Sequence, residues 1–88
     1  MKEWEALERE DRLIEAEAAI REAIPHQAFA LEIAEMYRRR MLRLQGGPQA
    51  AEARQKAADW AYFYASQATS GGEGTAMSAE RDEFLRTL

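Results

Sequence analysis

The 88-residue chain predicts an all-α fold, and three observations carry that prediction. Alanine supplies 18 residues and glutamate 13, while valine and asparagine are absent and proline occurs twice, so strong helix formers dominate throughout. Apolar residues recur at spacings of three and four rather than in alternation. Glycine and proline gather at a few points that cut the chain into helical lengths. The expected architecture is a small helical bundle in one domain, residues 1–88. It has three main helices at about 2–24, 25–45 and 48–69, and a short C-terminal helix at about 78–88.

The first helix opens with Glu3 and Glu5, where the helix dipole favours acids. Glu5/Arg9, Glu8/Arg12 and Glu17/Arg21 are acid-first pairs four apart, each worth about 0.2–0.5 kcal/mol on an exposed face. On a helical wheel Trp4, Leu7, Ile14 and Ala18 form one apolar stripe, and Leu13, Ile20 and Ile24 form a second about 120° away. A helix with two apolar faces calls for two neighbours. Pro25 lacks a backbone donor and disfavours helical geometry at Ile24, so the helix ends or kinks there. No capping residue decides between the two.

In the second helix Phe29, Ile33, Met36, Tyr37, Met41 and Leu44 make a continuous stripe, and Gly46-Gly47-Pro48 terminates it. Pro48 suits the first position of a third helix, whose Ala50, Ala53, Ala57, Trp60, Ala61, Tyr64 and Ala68 share one side. That side is small at one end and aromatic at the other. Residues 70–77 read as a flexible glycine-rich loop. Ser78 then suits an N-cap, with Glu80, Asp82 and Glu83 in the first turn and Phe84, Leu85 and Leu88 available for docking.

Charge is segregated along the chain. Residues 1–25 hold eight acids against four bases, whereas residues 26–58 hold six bases against three acids, centred on Arg38, Arg39, Arg40 and Arg43. On their wheels Arg40 falls inside the apolar stripe of the second helix and Asp11 inside that of the first. An antiparallel hairpin about Pro25 pairs residues whose numbers sum to about 50, which predicts an Asp11–Arg40 ion pair in or beside the seam. Such a pair sets register more than it adds stability, because desolvation offsets much of the attraction. Arg38, Arg39 and Arg43, with Arg54 and Lys56, form a basic patch able to meet a partner. Tyr62 lies away from Trp60 on its helix, where it suits either base stacking or a dimer interface.

Chemistry finds little material here. Without cysteine there is neither disulfide nor thiolate site, and His26 is the only histidine, so no histidine triad or His-rich metal centre can be assembled. Ser66, Ser70 and Ser78 have no motif-borne base, Glu32 and Glu35 suit a solvated face, and the glycine-rich segment lacks the Gly-Lys-Ser/Thr ending of a phosphate loop. The expectation is therefore no enzyme, cofactor or metal. An opening with acids is not an export signal, and the longest helical stretch without a charged or strongly polar residue, Trp60 to Ala65, is far below the roughly 20 residues that span a bilayer. A cytoplasmic location follows as the default.

Two function classes remain. The first is a non-enzymatic protein–protein interaction or assembly module, self-associating as a homodimer because the two-faced first helix and the surplus aromatics need covering. The second is a nucleic-acid-associated protein that uses the basic patch at the end of the second helix. The net charge of −4 favours the first.

Overall fold

The computed structural model describes residues 3–25, 28–66 and 72–88, with 72–75 as helix backbone. Among these residues there are five helices and no strand: α1 Glu3–Arg9, α2 Leu13–Ala23, α3 Ala28–Leu44, α4 Pro48–Ser66 and α5 Gly72–Leu85. The all-α class holds, with differences in how the chain is divided.

The expected first helix is two helices. After Arg9 the backbone turns through Asp11 in the left-handed region, φ 60°, which aspartate tolerates better than most residues. Arg12 N–H closes the turn on the Leu7 carbonyl at 2.9 Å. The wheel computed over 2–24 is therefore re-phased. Trp4 is buried against the core, whereas Ile14 is 82% exposed and Ala18 is exposed. The break also separates Glu8 from Arg12, which pairs instead with Glu10 and Glu15. Glu17 accepts from Tyr37 rather than pairing with Arg21.

At Pro25 the helix ends. Ile24 is extended, φ −110° and ψ 116°, as steric conflict with a following proline ring demands. Its N–H still reaches the Ile20 carbonyl at 2.9 Å. Pro25 itself is not helical, so the second helix begins later than residue 25; His26 lies outside the described residues. Across the junction Arg21 stacks on Phe29 at 5.9 Å and Glu17 meets Tyr37, so α2 and α3 run antiparallel.

Gln45, Gly46 and Gly47 all have positive φ, the geometry that ends α3 and that glycine adopts without strain. Ala51 N–H then bonds the Gly47 carbonyl at 3.0 Å, closing the first turn of α4 behind Pro48. Phe29 meets Phe63 and Arg40 meets the Gln49 carbonyl, so α4 returns antiparallel along α3, the most extensive helix pairing in the molecule. The alanine face of α4 is buried as its pattern requires: Ala50, Ala53, Ala57 and Ala61 are in the core, and Tyr64 and Ala65 continue it. Ala68, the last member of the expected face, lies outside the described residues.

The terminal helix starts earlier than its sequence suggests. Residues 72–77 belong to α5 rather than to a loop, and Ser78 sits inside the helix instead of capping it. Two glycines in a helix cost about 1 kcal/mol each. Met77, 6% exposed, offsets this by packing with Ala30 and Tyr64 in a second small core. Residues 70 and 71 of the expected loop lie outside the described residues. The main core joins Ile20, Ile33, Met36 and Tyr37 to Ala57, Ala61 and Phe84, so α2, α3, α4 and α5 share one apolar centre.

Candidate interaction site

Arg38, Arg39, Arg40 and Arg43 are consecutive or nearly so, and the 100° step of a helix sends them to different neighbours. Arg39 and Arg43 turn toward α1. Arg39 donates from Nε and Nη2 to the two oxygens of Glu8 at 2.8 Å each. Arg43 lies 3.8 Å from Glu8 and 3.8 Å from Asp11. Arg40 donates from Nε to Asp11 Oδ1 at 2.9 Å and from Nη2 to Oδ2 at 3.3 Å. The left-handed turn, not a helical stripe, aims Asp11 at it. These hydrogen bonds raise both guanidinium pKa values and hold the Asp11 carboxyl below its ordinary value. Arg38 faces α5, lying 4.7 Å from the centre of the Phe84 ring and donating to Thr87 Oγ1 at 2.9 Å. Arg38, Arg39 and Arg43, the arginines expected to face outward, thus make intramolecular contacts, while Arg39 and Arg43 stay exposed.

Lys56 sits apart from this cluster, 3.9 Å from Glu52 and 5.4 Å from the centre of the Tyr37 ring. It lines a polar cavity of about 370 Å³ beside the start of α2, whose other charged residues are Asp11, Arg12, Glu15, Arg40 and Glu52. Acids and bases balance there, so the cavity favours no ligand of one sign.

Arg54 and Tyr62 are brought together. They are eight residues apart on α4, on the flank of its buried alanine face, and both are exposed. Between them lies Ala58, and next to them Ala51 and Gln55. Leu85 and Leu88 approach from the end of α5, and these side chains enclose a groove of about 510 Å³. Tyr62 is 54% exposed, with the Arg81 guanidinium 5.4 Å from its ring centre. Gln55 donates to Asp59 at 2.9 Å, which fixes the acid beside the groove. Among the described residues Arg54 makes no ion pair. The sequence signals for Leu85 and Leu88 pointed to docking of the terminal helix; they touch the core only in part and also wall the groove. Ala51 and Ala58 carried no signal, because alanine is also the residue of the buried face.

Among the described residues no group of histidine, cysteine, aspartate and glutamate has metal-binding geometry, and no helix is long and apolar enough to cross a membrane. Comparison with protein-family models, curated proteins and solved structures finds no match to this chain.

Proposed function

We propose that this chain is a non-enzymatic protein–protein interaction module that recognises its partner through the α4–α5 groove. One observation carries the reading: Arg54 and Tyr62 flank a groove walled by leucine and alanine, while Arg38, Arg39 and Arg43 are engaged within the chain. Tyrosine and arginine are among the residue types enriched at interfaces, and here they stand beside leucine and alanine in one groove. The nucleic-acid alternative needs free cations along a backbone-tracking surface, and two members of the patch that suggested it, Arg39 and Arg43, are paired with Glu8 and Asp11.

The test is photo-crosslinking in the cells the protein comes from, with a benzophenone amino acid in place of Tyr62 or, as control, of the exposed Ala18. Protein adducts at position 62 that survive nuclease and are absent at position 18 support the module. Adducts removed by nuclease, or equal yields at both positions, overturn it.

A further inference from the structure

We infer that the occupant of the α4–α5 groove is a second copy of this chain, packed so that the two α4 helices run antiparallel and cross at Ala58; this rests on the groove being the interaction site. In a two-fold contact residue i touches j of the partner and j touches i, so a self-pairing surface must be complementary to itself about one point. The groove-lining face of α4 has that property about the half-buried Ala58. Arg54 lies four residues before it and Tyr62 four residues after, one helical turn on either side. Antiparallel crossing at Ala58 places Arg54 against the partner's Tyr62 and Tyr62 against the partner's Arg54, two cation–π contacts from one geometry. Asp59, held in place by Gln55, falls within a turn of the partner's Arg54 and supplies the opposite charge.

Shape agrees with charge. Ala51 and Ala58 are seven residues apart on this face, so side chains do not hold a second helix away. The groove of about 510 Å³ leaves Leu85 and Leu88 to cover the arriving helix from the side. One side of helix α4 is filled by α3 and the core, and the groove side carries the exposed Ala51 and Tyr62 with the half-buried Ala58 between them. Helices packed at about 8–10 Å, with Cα atoms about 2.3 Å from each axis, bring facing Cα atoms to about 3–5 Å. That range overlaps the roughly 4.4–6.8 Å a disulfide spans.

The chain contains no cysteine, so the geometry can be tested by disulfide trapping. Under mild oxidation the Ala58→Cys protein should form a covalent dimer at least about tenfold faster than Ala18→Cys, and the unsubstituted protein should sediment as a concentration-dependent dimer. Arg54→Ala and Tyr62→Ala should each weaken dimerisation by about tenfold, and the double variant should weaken it little further, because each removes the same contacts. Equal trapping at positions 58 and 18, or additive losses in the double variant, overturns the antiparallel pairing. A monomer at every concentration overturns the second copy as occupant. In that event nuclease-resistant adducts of other proteins at position 62 would leave the interaction module itself standing.

Discussion

Glu8 on α1 and Arg39 on α3 form a two-pronged ion pair, with both N–H···O distances 2.8 Å, and the Glu8 residue is 6% exposed. The pair fastens a helix of seven residues, too short to be stable alone, to the centre of the bundle. Trp4, buried in the core from the same helix, supplies the apolar half of that attachment.

Because the Glu8 carboxylate is buried, its partner cannot be removed cheaply. Arg39→Met should lower stability by about 2–3 kcal/mol and Tm by roughly 10–15 °C, leaving Arg43 at 3.8 Å as a poorer partner. Adding Glu8→Leu to that variant should recover most of the loss. Thermal unfolding followed by circular dichroism reads both changes; a double variant no better than Arg39→Met would show that the pair contributes more than relief of a buried charge.

Asp11 has a folded-state pKa below its ordinary 3.8, chiefly through the Arg40 hydrogen bond. A depressed carboxyl pKa contributes stability above the unfolded value, and that contribution is lost as pH falls through the folded one. Asp11→Asn keeps a side chain tolerant of the left-handed turn but loses the charge. The Tm gap between the two proteins should be constant above about pH 5 and should narrow below about pH 4. Arg40→Met should lower Tm by about 4–8 °C at neutral pH, as expected for about 1 kcal/mol in a chain of this size.

Tyr37 donates to Glu17 at 2.6 Å from the wall of the core, and burial first, then that bond, raises its pKa well above 10. The folded state holds this proton where the unfolded chain releases it, so the contribution is intact below pH 10 and fades as pH rises beyond it. Tyr37→Phe should cost about 1 kcal/mol at neutral pH and flatten the stability profile above pH 10. Denaturant unfolding at pH 7 to 11 measures both.

Met77 is the anchor that extends α5 through two glycines. Met77→Ala should cost about 2–3 kcal/mol and, more tellingly, speed amide exchange at the start of α5 while α3 and α4 stay protected. Uniformly faster exchange in all helices would indicate that Met77 supports the whole bundle rather than this end of it.

Several of these features follow from local pattern. The end of α3 and the start of α4 are encoded by Gly46-Gly47-Pro48, the buried face of α4 by its alanine spacing, and an interruption before α3 by Pro25, which the sequence left open as a turn or a kink. The approach of Asp11 to Arg40 was legible from hairpin arithmetic, although the turn that aims Asp11 was not. Nothing in Glu10-Asp11-Arg12 marks a helix end: no glycine or proline is present, and each residue is compatible with a continuous helix. Arg39 and Arg43 stay exposed, but their pairing with Glu8 was not legible for the same reason, because bending α1 carries Glu8 to them.

The sequence by itself determined the class, the helical composition, an interruption at Pro25 and the cap at Gly46-Gly47, since each depends on propensity or steric limits acting over a few residues. Tertiary structure alone decided where α1 breaks, how early α5 begins, which arginines are spent within the chain, and that Arg54, Tyr62, Leu85 and Leu88 border one groove. Those outcomes turn on contacts between residues tens of positions apart. Burying Trp4, Met77 and the Glu8 carboxylate outweighs the local preferences of the segments that carry them.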